Sequence, residues 1–189
     1  MPMTEYIEKL LNTRFDEAEC RLVEQDAQVV HFVNGQTILR EGDYSKHFYF
    51  MVSGIIRGYY IDEQGNDITK CFCAEKGVFA TECMRTKLPS SFTIESLGNS
   101  KCVKFSYDLV IGIMEKNIEV RDKINKLFQK EIAKLEFRIK DLVMLNAEER
   151  YNHFCEVYPE LHNRVPLKYI ASYIGVRVPS LSRIRKNRK

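Results

Sequence analysis

The chain has 189 residues, 44% hydrophobic and 29% charged, with 9 Gly and 5 Pro, the make-up of one medium globular domain or one domain plus a small module. No apolar run approaches the roughly 18 to 20 residues that span a bilayer, and the mixed-charge start MPMTEYIEKLLNTRF has no signal-peptide pattern, so a cytoplasmic protein with no membrane partner is expected. The net charge of +3 conceals a pole: residues 161–189 hold eight Lys and Arg and no acid, leaving −5 on the first 160, and such a pole attracts a polyanion, most simply nucleic acid.

In chain order, residues 4–25 carry Ile7, Leu10, Leu11, Phe15 and Leu22 at helical spacing. Asp16 is placed to cap a second short helix there. From Gln28 the texture changes. QVVHFV, TILREG, HFYFMVSG, IIRGYYI, DITKCFCA, SFTIESLG and KCVKFS are short and rich in Val, Ile, Phe, Tyr and Thr, with Gly- and Asn-containing turns between them. Strands of this length and spacing predict an antiparallel sandwich or barrel. YYIDEQGNDITK predicts a hairpin with Gly65-Asn66 at its tip.

From Tyr107 the period is helical again. Val120, Ile124, Phe128, Ile132, Leu135, Ile139 and Leu142 form one apolar stripe on a helix of about 28 residues, or roughly 42 Å. Asn117 is its expected N-cap. A near-heptad stripe of this length packs against another helix, so these seven residues are the expected seam of a two-fold dimer. The competing arrangement folds the helix back onto its own barrel.

Three short segments follow. AEERYNHFCEVYP sets Tyr151, Phe154, Cys155 and Tyr158 on one helical face. VPLKYIASYIG has Pro166 at a helix start and Gly175 at its end. VPSLSRIRKNRK has Leu181 and Ile184 as an inward face. Two short helices about a Gly turn predict a helix-turn-helix, with Ala171 at the close crossing. Arg177, Ser180, Ser182, Arg183, Lys186 and Asn187 are then the expected DNA-contacting residues, because an α-helix fits the major groove and Arg bonds a guanine edge with two parallel hydrogen bonds. The spacing of Leu181 and Ile184 sets this segment apart from a solvated basic tail.

Six cysteines (Cys20, Cys71, Cys73, Cys83, Cys102 and Cys155) contain no CxxC pair, and buried small hydrophobes are expected, with no cofactor and no metal. Cys71 and Cys73 share one strand face with Cys83 on a following loop, which keeps a thiol-based redox or metal sensor as the alternative. His31, His47, His153 and His162 lie in no HExxH, nucleophile-elbow or P-loop context, so no enzyme is expected. A further alternative is a ligand-binding module that does not touch DNA.

With these elements in place, the sequence resembles the CRP/FNR superfamily of bacterial transcription regulators across nearly its whole length. NGQTILREGDYSKHFYFMVSG, with Gly35, Gly42 and Gly54, is similar to the superfamily's cyclic-nucleotide-binding-type jelly roll, and IASYIGVRVPSLSRIRK to its recognition segment. The resemblance implies an α+β fold: an N-terminal jelly-roll barrel with flanking helices over residues 1–115, a dimerisation helix over 116–145, and a small helix-turn-helix domain over 146–189 that lacks a full wing. It implies a homodimer on palindromic double-stranded DNA, an unknown small-molecule effector, and RNA polymerase as a further partner. Arg183 matches the base-reading arginine and Ser180 a position near the DNA backbone. Pro179 stands where many members have an acidic base-contacting residue. The effector pocket departs from the pattern. Glu82 and Thr93 match the glutamate and the hydroxyl of cyclic-AMP-binding members, but Phe92 falls where they have the phosphate-neutralising arginine, so control by cyclic AMP is not expected. Arg85 or Lys87 would have to substitute from the loop. Arg185, Lys186, Arg188 and Lys189 are expected to supply phosphate contacts in place of the wing. The N-terminal cysteine cluster of the iron–sulfur branch is missing, since Cys20 stands alone.

Overall fold

The computed structural model describes residues 2–80 and 86–187. Glu82, Cys83, Arg85, Arg188 and Lys189, to which the sequence assigns roles, lie outside the described residues. The described chain runs α1 (Met3–Leu11), α2 (Glu17–Asp26), β1 (Gln28–Phe32), β2 (Thr37–Leu39), β3 (His47–Ser53), β4 (Ile56–Ile61), β5 (Asp67–Cys73), β6 (Val78–Phe79), β7 (Thr93–Ser96), β8 (Ser100–Ser106), α3 (Tyr107–Lys116), α4 (Ile118–Met144), α5 (Ala147–Val157), α6 (Leu161–Arg164), α7 (Leu167–Tyr173) and α8 (Val178–Asn187). Two four-stranded sheets have the orders β1-β8-β3-β6 and β2-β7-β4-β5. The expected double-sheet roll, long helix and C-terminal helices are all present. The chain divides into two compact units, Met1–Arg57 with Phe72–Gln129, and Gly58–Cys71 with Lys130–Lys189.

The first unit, the barrel unit, is organised by the period-2 alternation of β3. Phe48 and Phe50 point to the core shared with α1–α3 and the start of α4, while His47 and Tyr49 point the other way. Phe48 meets Phe50 and Phe128 edge-on, at 5.0 and 5.7 Å between ring centroids. The helices start where short polar side chains offer oxygen to free amides. Asp16 forms a capping box with Glu19. Asn117 caps α4 through the Val120 amide at 3.1 Å, and its side-chain amide donates to both oxygens of the buried Glu19 carboxylate at 3.1 and 3.2 Å. One carboxylate thereby joins the cap of α2 to the cap of the long helix. At the β3–β4 turn Gly54 sits at φ +96°, and a Cβ there would lie 2.7 Å from the Ser100 Cα, so the position requires glycine.

The second unit, the helical unit, holds the hairpin of residues 58–71 and the chain from Lys130 onward. The hairpin tip is ordered by Asp62, whose Oδ1 accepts from the amides of Gln64 and Asn66 at 3.0 and 2.8 Å. Asn146 caps α5 with Glu149 in a second capping box. Phe154, Tyr158 and Tyr173 pack with centroids 5.4 to 5.8 Å apart, beside buried Tyr151, Leu161, Ile170, Ala171 and Leu181. Cys155, read from its spacing as part of this face, is only half-buried.

The expected seven-residue seam is divided. Val120 and Ile124 are buried in the core of their own barrel unit and Phe128 packs against it, so this part of the stripe is covered by the chain itself. Ile132, Ile139 and Leu142 are exposed and Leu135 is half-buried.

Candidate functional site

The turn between α7 and α8 is built for a close crossing. Gly175 has φ +67°, and a Cβ there would lie 2.9 Å from the Leu142 Cδ2. The Val176 amide donates to the Ala171 carbonyl at 2.9 Å, and Ala171 is buried where any longer side chain would separate the helices. Leu181 is 0% exposed and anchors α8, with Ile184 half-buried beside it. Arg177, Pro179, Ser182, Arg183, Lys186 and Asn187 are exposed, and Ser180 is half-buried. Ser182, Arg183, Lys186 and Asn187 recur at i, i+1, i+4 and i+5, so they occupy one side of α8, away from Leu181. Of the described residues expected to contact DNA, Arg177, Ser182, Arg183, Lys186 and Asn187 are thus exposed on or just before one helix, while Ser180 and Arg185 are half-buried. That face offers cations and hydroxyls, with no carboxylate after Glu160 to oppose a phosphate.

Behind it lies a contact that sequence reasoning missed. Arg138 of α4 donates from Nη2 to the Thr69 carbonyl at 2.8 Å, from Nη1 to the Lys70 carbonyl at 2.9 Å and from Nε to the Tyr173 carbonyl at 2.9 Å. Its guanidinium also stacks 4.5 Å over the Tyr173 ring. Burial pulls its pKa below the ordinary arginine value. The Ser172 hydroxyl accepts from the Thr69 amide at 2.8 Å and donates to the Asp67 carbonyl at 3.2 Å. β5 is a sheet edge, and backbone groups of Asp67, Thr69 and Lys70 are bonded by two side chains, Arg138 on α4 and Ser172 on α7. His153 of α5 is hydrogen-bonded to Asp141 of α4. The helix-turn-helix is therefore held both to the long helix and to the hairpin.

The barrel unit contains an open cavity of about 180 Å³. Ile38, Leu39, Ile94 and Phe79 supply apolar wall, and His47, Tyr49 and Ser45 supply polar edge. Tyr49 stacks on Phe79 at 4.4 Å with 5° between the rings, and His47 meets Tyr49 edge-on at 6.2 Å. Burial, then the charge of Lys104, pulls the His47 pKa below its ordinary value, against a smaller opposing pull from Asp26, so the imidazole is neutral near pH 7. Burial pushes the Tyr49 phenol up to about 12. The sequence-expected pocket residues Phe92 and Thr93 do not line this cavity. Phe92 is buried, its carbonyl accepting from the Ser90 hydroxyl at 2.8 Å, and the Thr93 hydroxyl accepts from the Glu41 amide at 3.1 Å. Lys87 lies over the Tyr107 ring at 5.9 Å. A buried cation that the sequence did not announce is Arg57, 1% exposed, whose Nε donates to Glu95 at 2.8 Å. It is committed to that carboxylate.

Among the described residues no group of three or more His, Cys, Asp or Glu is placed to hold a metal ion. Cys73 donates weakly to the Val78 carbonyl at 3.5 Å, and burial raises the Cys71 pKa, which opposes thiolate formation. Among the described residues no helix is long and apolar enough to cross a membrane.

Comparison with known proteins agrees with this architecture. Residues 29–117 match the family model of the cyclic nucleotide-binding domain. The chain is 26% identical over 161 residues to the fumarate and nitrate reduction regulatory protein of Shigella dysenteriae, covering 79% of this chain and 64% of that protein. It is 25% identical over 179 residues to the nitrogen fixation regulation protein FixK of Bradyrhizobium diazoefficiens, covering 89% and 74%. The chain therefore spans 64% of the length of the Shigella relative. Among solved structures, FixK2 from Bradyrhizobium japonicum has a TM-score of 0.74 at 18% identity, covering 85% of this chain and 83% of that one. A putative transcriptional regulator of the crp/fnr family from Eubacterium rectale has a TM-score of 0.72 at 17% identity, covering 92% and 83%. These likenesses establish the fold.

Proposed function

We propose that this protein is a homodimeric, sequence-specific DNA-binding regulator of transcription, because residues 29–117 match the family model of the cyclic nucleotide-binding domain and the chain shares its fold with FixK2 and with a regulator of the crp/fnr family. The observation that carries the reading is α8. A ten-residue helix buries Leu181 and turns Ser182, Arg183, Lys186 and Asn187 to solvent, at the end of a segment with eight cations and no acid. Such a helix fits the major groove, with Arg183 reading a base edge and Lys186 positioning the phosphates. Residues 1–115 are the sensor, 116–145 the dimerising segment and 146–189 the DNA-binding domain. The dimer seam is the exposed part of the α4 stripe, from Ile132 through Leu135 and Ile139 to Leu142. Two copies joined there present their recognition helices to half-sites about 34 Å apart on a palindromic duplex.

We further propose that a cyclic nucleotide is not the controlling ligand. Its phosphate needs a cationic partner once desolvated. Phe92 occupies the position where the resemblance calls for arginine, and no Lys or Arg lines the cavity among the described residues. Thiol or metal sensing has no ligand cluster to support it among the described residues.

The test starts from an operator selected from random duplexes by the wild-type protein. Wild type should shift this duplex with an affinity that falls as salt rises. Arg183→Ala should weaken binding about 10- to 100-fold, as loss of one bidentate base contact does, and relax preference at one base position per half-site. Binding by Arg183→Ala at wild-type strength and with wild-type preference would show that α8 is not the recognition helix.

A further inference from the structure

We propose that the barrel cavity binds an uncharged small molecule with an apolar body and one hydrogen-bonding edge, and that this is the chemical class of the effector. The inference rests on the sensor role given to residues 1–115 above. It uses side chains that the resemblance to cyclic-AMP-binding proteins does not single out.

The cavity is assembled from five separate stretches of chain: β2, the loop before β3, β3, β6 and β7. Its volume of about 180 Å³ lies below the roughly 300 to 1,000 Å³ of pockets for drug-sized ligands, so its ligand is small, on the scale of a single substituted ring. One side is apolar, from Ile38, Leu39 and Ile94. The other carries the Ser45 hydroxyl, the Tyr49 phenol and the His47 imidazole, groups that donate or accept hydrogen bonds without charge near pH 7. No carboxylate, ammonium or guanidinium lines it among the described residues.

The nearest cation to weigh is Lys104. It stands opposite Tyr49 in the β3–β8 register and acts on His47 electrostatically, but it does not line the cavity. Asp26 acts on the same imidazole with the opposite sign. Arg57 is held by Glu95. Among the described residues an anionic ligand would therefore find no lining cation to replace its hydration, and a cationic ligand no carboxylate. A neutral ligand escapes both costs. The walls are also pre-organised: Tyr49 is clamped between the parallel Phe79 ring and contacts to His47 and Phe32. Little side-chain freedom remains to be lost on binding.

A charge-matched pair of probes decides the matter. Benzamide and benzoate have the same shape and differ by one negative charge. Saturation-transfer NMR titrations on the full chain, with cyclic AMP as a third probe, should show benzamide binding at least tenfold more tightly than benzoate. Ala80→Trp, which fills the cavity from the end of β6, should abolish the benzamide signal. Ser45→Ala should weaken it severalfold, and both variants should keep the wild-type thermal transition without ligand. The proposal is overturned if benzoate or cyclic AMP binds as tightly as benzamide. It is equally overturned if benzamide fails to bind wild type at millimolar concentration, or binds unchanged to folded Ala80→Trp. No DNA is present in these titrations, so a negative result leaves the role of α8 standing. Conversely, Arg183→Ala should bind benzamide as wild type does, whatever it does to DNA.

Discussion

The two halves of α4 carry the same apolar period and meet opposite fates. In the first half Val120 is 1% and Ile124 3% exposed, sealed against β3 and the N-terminal helices. In the second half Ile132 is 48%, Ile139 64% and Val143 76% exposed. The helix has 27 residues, or about 40 Å, longer than one small barrel can cover. A periodic stripe states that one face of a helix is apolar; it does not state what lies against that face. Here the chain's own core takes the first half, and the second half is left for another surface. The polar residues divide the same way. Asn117 begins the helix by bonding to Glu19 of the barrel unit, whereas Arg138 grips the backbone of the hairpin and of α7 in the helical unit.

Substitutions on this single helix can break that contrast. The largest effect on stability is expected from Ile124→Ala, which removes a buried side chain from a filled core and should cost about 2–5 kcal/mol, read as a lower urea midpoint. A loss below about 1 kcal/mol would mean that the first half is not core. Next comes Arg138→Gln. Three charge-assisted hydrogen bonds are lost or weakened, for a cost of about 2–3 kcal/mol. Amide exchange at Thr69 should accelerate while amides of β3 keep their protection, and uniform acceleration would contradict a local role. The smallest effect on single-chain stability, within about 0.5 kcal/mol, is expected from Ile139→Asp. Its consequence should appear in sedimentation, as a dimer dissociation constant raised at least tenfold. An unchanged association constant would remove the second half from the proposed seam.

Much of the architecture was legible because it is local. Asp16 and Asn117 precede apolar periodic runs, which is how a cap is recognised, and both cap as expected. Gly175 before Val176 and Pro179 marked the turn into α8, and Leu181 marked the inward face. Arg138 and Arg57 left no such trace. The carbonyls that Arg138 bonds on the hairpin are 68 and 69 positions away, and the carboxylate that holds Arg57 is 38 positions away. On the page each reads as an ordinary solvated charge. The barrel cavity left no trace for a related reason: its wall is built by β2, β3, β6, β7 and the loop before β3, segments far apart in the chain.

By itself the sequence determined which segments are helix or strand, where they are capped, where glycine turns them, and that the last stretch is a positive pole around one apolar anchor. Those properties depend on interactions among residues a few positions apart, so period and composition suffice to read them. Tertiary structure alone decided which half of the long helix is covered, that Arg138 and Ser172 close the edge of β5, and that neutral side chains line the barrel cavity. Each of these depends on burial and register between residues far apart in the chain, where a charge is held or solvated, and a stripe is core or surface, only once the fold has chosen its neighbours.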